Sequence, residues 1–82
     1  MGIRHYVYII ESEKDGKPYT GYTTDLNLRL KQHNSDESAY TKGKGPWRLK
    51  WYSSFVDKEK ALSFEKYLKS GSGYTFARKR FI

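Results

Sequence analysis

The 82-residue sequence contains no cysteine, so it can build no disulfide framework, no thiolate zinc site and no cysteine nucleophile. His5 and His33 are its only imidazoles, so an all-protein zinc site would have to lean on carboxylates, and a structural metal is not expected. Long apolar runs are missing as well. The apolar stretch near the start soon meets Glu11, Glu13 and Asp15, far short of the roughly 18 residues of a membrane span. A cytoplasmic protein with no membrane partner is expected. Acid is scarce: nine Asp and Glu stand against sixteen Lys and Arg, a net charge of +7. Such an excess favours polyanions, nucleic acid first among them. It is also unevenly placed. Lys42, Lys44, Arg48 and Lys50 lie in a stretch without acid, and after Glu65 come Lys66, Lys69, Arg78, Lys79 and Arg80, again unopposed. The competing reading is a solvated surface tuned for solubility, because charge runs alone specify no ligand.

Apolar residues make up 37% of the chain and aromatics 17%, enough for a modest core, and the length suits one domain spanning residues 1–82. Residues 5–11 (HYVYIIE) read as a strand entering a turn at Asp15-Gly16, and Pro18 opens a second strand over residues 19–23. A two-residue turn at Asp15-Gly16 would set Ile10 against Gly21. Parity then puts Tyr6, Tyr8 and Ile10 on the face of Tyr19, Gly21 and Thr23. Thr24 or Asp25 caps a helix to about Asn34, with Leu26 and Leu30 as its buried stripe and Arg29 and His33 along one margin. Residues 34–46 are polar and without period, the longest loop and the segment expected to move most. Residues 47–55 alternate as a third strand, with Trp47, Leu49, Trp51 and Phe55 on an aromatic face and Arg48 and Lys50 on a basic one. Asp57 caps a second helix with Ala61, Phe64 and Leu68 inward, stopped by Gly71-Ser72-Gly73. Residues 74–82 fit either a short last helix or a basic tail. The order β-β-α-β-α makes an α+β architecture.

Certain residues break these patterns. Glu65 falls on the core side of the second helix, where an unpaired charge is costly, so it needs a cation. That cation is either a neighbouring Lys69, Arg29 or Lys66, or a divalent metal, unless the side chain bends outward to water. Arg29 reads as a surface residue with a buried stem or as an anion clamp. His33 reads as a buried polar residue more readily than as a base. Tyr6, Tyr8, Tyr19 and Tyr22 crowd two strands, which packing explains, although buried phenols need partners and four of them can form a polar pocket. Gly21 weakens its strand but permits a close approach. No Ser-His-Asp arrangement and no P-loop is present.

Taken together, Tyr6-Val7-Tyr8, Tyr19-Thr20-Gly21 some ten residues on, Arg29 eight residues after that glycine, His33 four further, and Glu65 within ALSFEKYLK resemble the GIY-YIG nuclease family. The resemblance runs from about Tyr6 to Lys69, and the length is similar to that of the small stand-alone bacterial members. It implies a three-stranded antiparallel sheet flanked by helices. The triplets depart from the family pattern, YVY for GIY and YTG for YIG. Tyr22 stands where some repair members have a lysine, leaving a phosphate contact to Lys42, Lys44 or Lys17. No asparagine occurs in residues 66–82, where some relatives use one.

The activity implied is metal-assisted hydrolysis of phosphodiester bonds, with DNA ahead of RNA as substrate and with repair or recombination as its setting. In that reading Glu65 holds a single Mg²⁺ or Mn²⁺, whose other ligands are waters and a phosphate. Tyr19 is the general base, Tyr8 orients it or the water, Arg29 binds the scissile phosphate, His33 contacts that phosphate or assists proton transfer, and Gly21 keeps the approach open. Lys42, Lys44, Arg48, Lys50, Arg78, Lys79 and Arg80 grip the nucleic-acid backbone. A chain this short has little room for a sequence-reading element, so structure-directed or weakly specific cleavage is expected, with a protein partner as one source of specificity. The rivals are a non-catalytic nucleic-acid binding module on the same fold and a protein-interaction domain with incidental charge.

Overall fold

A computed structural model describes residues 2–35, 37–38 and 40–80. The elements follow in the order β1 (His5–Ser12), β2 (Pro18–Thr23), α1 (Leu26–Asn34), β3 (Trp47–Phe55), α2 (Lys58–Lys69) and α3 (Gly71–Arg80). The strands form one antiparallel sheet in the order β2-β1-β3, as expected, with β1 central because it carries the densest run of β-branched and aromatic residues. Every β1 residue from Val7 to Ile10 is buried, so this strand is covered on both faces. Val7 and Ile9 pack under α2 and α3 with Ala61, Leu68 and Ala77. Tyr8 and Ile10 pack on the opposite face with Trp47 and the half-buried Leu26 and Leu30 of α1. Two thin cores thus share one strand.

The hairpin differs from the sequence expectation in register but not in parity. Tyr8 faces Gly21 and Ile10 faces Tyr19, a shift of two residues that keeps the same side chains on the same face. The reason is local. The Ser12 hydroxyl accepts from the backbone N–H groups of Lys14 and Asp15, the Ser12 N–H donates to the Lys17 carbonyl, and Gly16 takes a positive φ of 73°. These bonds stabilise a longer connection than a two-residue turn. Since Tyr22 faces Val7, its ring lies on the helix α2 side of the sheet, away from Tyr8 and Tyr19, and stacks on His5 with a 2.8 Å bond to Nδ1. The four-tyrosine pocket is therefore reduced to Tyr8 and Tyr19.

The single aromatic face expected for β3 is overturned too. A register shift between Ile9 and Ile10 pairs Ile9 with Trp51 but Ile10 with Leu49, inserting Lys50 as an extra residue. Trp51 and Phe55 accordingly pack under α2, whereas Trp47 and Leu49 pack under α1. Several described residues of the segment between α1 and β3 bond to the sheet or to one another. Asn34 clasps the Trp47 backbone at both N–H and C=O, the Trp47 indole N–H donates to the Thr41 carbonyl, and Ser12 Oγ donates to the carbonyl of Lys44. Asp36 and Ala39 lie outside the described residues. Both helix caps are as expected, Asp25 accepting from Leu28 N–H and Asp57 from Glu59 and Lys60. The glycine-containing segment does end α2, and it also begins α3, which folds back so that Gly73 and Ala77 are buried. Residues 81–82, counted with the open alternative for the tail, lie outside the described residues.

Candidate active site

The site is built on the α1 face of the sheet, where β1 and β2 pair. Tyr8 is buried, and its hydroxyl is directed at the gap left by Gly21 on the neighbouring strand; a Cβ on Gly21 would stand 2.3 Å from that hydroxyl. The close approach that Gly21 permits is thus the approach of a tyrosine. The hydroxyl also meets His33 Nε2 at 2.7 Å. His33, one turn after Arg29 on α1, is the sole fully enclosed side chain of that helix, and its Nδ1 lies 2.7 Å from Thr41 Oγ1. Both ring nitrogens are engaged and the ring is sealed from solvent, so in this geometry His33 reaches a ligand only through Tyr8. The sequence had placed it at the margin of the helix rather than beneath it.

Electrostatics follow from this burial. The Tyr8 phenol is pushed up to about 12, chiefly by burial, while the hydrogen bond and charge of Arg29 pull it down and the charges of Tyr19 and Glu65 push it up. Tyr8 is therefore a neutral hydroxyl at physiological pH, suited to orienting a neighbour rather than to taking a proton. His33 is pushed down to about 4 by burial, with the Arg29 charge adding to the effect. The sign of the linkage is fixed. Between about pH 6.5 and 4 the unfolded chain binds the proton that folded His33 refuses, so stability is fully present above pH 6.5 and falls as the pH drops towards 4. The full span corresponds to about 3 kcal/mol. Urea unfolding at pH 7.5 and 4.5 should show most of that loss, and in a His33→Gln variant the difference should shrink; an equal difference in both proteins would rule His33 out as its source.

Arg29 is half-buried and held by Gln32, to whose Oε1 it donates at 3.0 Å, so the guanidinium is fixed beside Tyr8. Tyr19, on the β2 edge, is half-buried with its ring edge-on to His33 at 5.3 Å and to Trp47 at 6.5 Å. Lys69 Nζ lies 5.6 Å from the Tyr19 ring centroid and 3.1 Å from Glu65 Oε2. Helix α2 packs on the far face of the sheet, yet because β2 is an edge strand, Lys69 reaches round it to Tyr19 and the Glu65 charge is felt at Tyr8. Tyr8, Tyr19, Gly21, Arg29, His33 and Glu65 are thus brought to one edge. Tyr6 stands apart, edge-on to Tyr52. Two contributors have no functional signal in the sequence, Thr41 behind His33 and Gln32 behind Arg29, whereas Lys69 was legible as a cation for Glu65 by its i,i+4 spacing and does pair with it.

The basic residues named for backbone contacts come from three elements, the loop after α1, β3 and α3. Lys42 and Lys44 are exposed in the loop after α1, and Arg78, Lys79 and Arg80 in the last turn of α3. Arg48 pairs with Glu11 at 3.0 Å, and Lys50 approaches the same carboxylate at 3.9 Å.

Comparison with known proteins shows the family. The model of the GIY-YIG catalytic domain matches residues 4–77. The chain belongs to the GIY-YIG nuclease family. It is similar to UPF0213 protein BH0048 of Halalkalibacterium halodurans, 52% identical over 64 residues that cover 77% of this chain and 67% of that protein. It is also similar to UPF0213 protein HQ_3675A of Haloquadratum walsbyi, 44% identical over 81 residues that cover 98% of this chain and 86% of the other. The solution NMR structure of UPF0213 protein BH0048 from Bacillus halodurans superposes with a TM-score of 0.58 at 42% identity, covering 93% of this chain and 83% of that one. Membership accounts for the triplets and spacings found in the sequence. It says nothing of which GIY-YIG substrate this chain takes.

Proposed function

We propose that this GIY-YIG chain is a metal-dependent endonuclease that hydrolyses phosphodiester bonds, DNA before RNA, in a structure-directed or weakly specific manner. The observation that carries the reading is the convergence of Tyr19, the Arg29–Tyr8–His33 chain and Glu65 at the β2 edge, although Glu65 is borne by a helix of the opposite layer. A packing role alone does not require a carboxylate there.

The donor set fits one hard divalent cation. Among the described residues no three His, Asp or Glu side chains converge as a cage, so Glu65 would hold Mg²⁺ or Mn²⁺ by a single carboxylate, with waters and a substrate phosphate as the remaining ligands. The ion, when bound, supplies Lewis-acid stabilisation of charge on the phosphate and eases deprotonation of water. Every other task belongs to side chains. Arg29, already aimed into the site by Gln32, binds the scissile phosphate and stabilises charge on its oxygens, worth about 2.7–4 kcal/mol for a well-placed donor. Tyr19 takes the proton of the attacking water. Tyr8, kept neutral and fixed by His33 and Gly21, orients Tyr19 or that water by hydrogen bonding. His33 is a positioning residue that holds the Tyr8 hydroxyl. Lys69 neutralises the Glu65 carboxylate, which would also be the group to hold the ion.

The test is incubation with labelled single-stranded, duplex and branched DNA and with RNA, in Mg²⁺, Mn²⁺ or EDTA. Cleavage is expected with either metal, absent with EDTA, and lost in Glu65→Ala and Tyr19→Phe. Salt-dependent binding without cleavage on every substrate would instead assign the chain to nucleic-acid binding alone.

A further inference from the structure

Behind Tyr19, on the outer side of the β2 edge, a cavity of about 410 Å³ opens between β2 and the α2–α3 junction. Ile9, Leu68 and Ala77 form its apolar floor, and Pro18, Lys69 and Tyr74 stand around it. Pro18 and Tyr74 also line a second recess of about 240 Å³ that contains Lys17 and Arg78. The two recesses therefore form one track, running from the Tyr19–Lys69 end of the site to a pair of cations. Tyr74 is 41% exposed at the junction, and the Arg78 guanidinium lies 5.9 Å from its ring centroid. A large apolar hollow with an exposed aromatic wall and cations at both ends is not the form of a phosphate site. It has the form of a base site flanked by phosphate sites.

We infer that this cavity receives an unpaired nucleobase adjoining the bond to be cut, with the base against Tyr74 over the Ile9–Leu68–Ala77 floor and the flanking phosphates at Lys69 and at Lys17 with Arg78. The inference rests on the nuclease reading for its orientation towards Tyr19, but not for the binding itself. A base within a continuous duplex must first be unstacked and unpaired before it can enter a hollow, so the site favours single-stranded, flapped or frayed nucleic acid. The occupant is assigned by charge complementarity: Lys69, Lys17 and Arg78 border the two recesses, against Glu11 in the second and Glu65, which pairs with Lys69 at 3.1 Å.

The decisive measurement is NMR titration of the wild-type protein, without metal, with the tetranucleotide dT4 and with the same tetranucleotide carrying one abasic position. With dT4, shifts are expected at Thr20, Ser70 and Tyr74, residues that line the cavity. Removal of the base should weaken binding about ten-fold, the scale of a lost base–aromatic stack. A Tyr74→Leu variant, which keeps an apolar wall but no ring, should show equal affinity for the two oligonucleotides. Equal shifts and affinity for both in the wild type would overturn the base site. So would concentration-dependent shifts at these residues without any oligonucleotide, which would mean that a second copy of the chain covers the cavity. Because no cleavage is read, failure here is distinct from failure of the nuclease reading.

Discussion

A Gly21→Ala variant is expected to lose about 100-fold in cleavage and about 1–3 kcal/mol in stability from a single methyl group. In an ordinary strand the same change is favourable, since alanine restricts the unfolded chain more than glycine does. Here the new carbon would stand 2.3 Å from the Tyr8 hydroxyl oxygen and 2.5 Å from the ring carbon that bears it. Non-bonded contacts of this kind need roughly 3.5 Å, so something must move by about 1 Å. The Tyr8 ring has nowhere to go, being 2% exposed and packed with Ile10 and Trp47. Either the hydroxyl leaves His33 Nε2 or β2 separates from β1. In both cases Tyr19, two residues along β2, loses its registration with Tyr8 and Arg29. Thermal melts and cleavage rates of the four proteins in a Gly21→Ala, Tyr8→Phe cycle separate the causes. The alanine should cost less stability when the hydroxyl is already gone, and purely additive effects would show that the clash with this oxygen is not the source.

The largest loss of stability is expected from Gly73→Ala. A Cβ there would lie 1.7 Å from the carbonyl oxygen of Tyr67, 2.4 Å from its carbon and 2.8 Å from the Cα of Leu68. All three are backbone atoms of α2, which no rotamer change can clear. Helix α3 must therefore lift from α2, exposing Leu68 and Ala77, two of the five buried members of the core cluster beneath them. A cost of about 3 kcal/mol or more is expected, which for a chain of this length lowers Tm by more than about 10 °C. Gly71 is the matched control, since nothing lies within 4 Å of a Cβ added there. Gly71→Ala should leave the melt unchanged or raise it slightly. Similar melts for the two variants would refute the close helix crossing.

These two glycines show where sequence reading stops. Gly21 was recognisable as a site of close approach because a glycine in mid-strand needs a reason. That the approaching group is Tyr8 depended on a register set by the Ser12 and Gly16 turn, which no alternation pattern reports. Gly73 read as a helix stop, and it is one. Its second role, admitting a helix crossing, arises only when α3 turns back upon α2.

What the sequence by itself determined is considerable and has a common physical basis. Strand alternation, helix caps at Asp25 and Asp57, the excess of positive charge and the spaced Tyr, Gly, Arg, His and Glu residues are local or additive features, and the α+β fold and the family were legible from them. Tertiary structure decided the rest. The inserted Lys50 divides the aromatic residues of β3 between two cores, because a single extra residue inverts the facing of everything beyond it. His33, read from the sequence as a buried polar residue at the helix margin, is fully enclosed, with Thr41, from a loop without period, bonded to its Nδ1. Glu65 and Lys69 entered the site from the opposite layer because β2 is an edge that α2 can reach around. Such facts depend on which surfaces meet across the sheet, and pairings between residues distant in the chain leave no periodic trace in it.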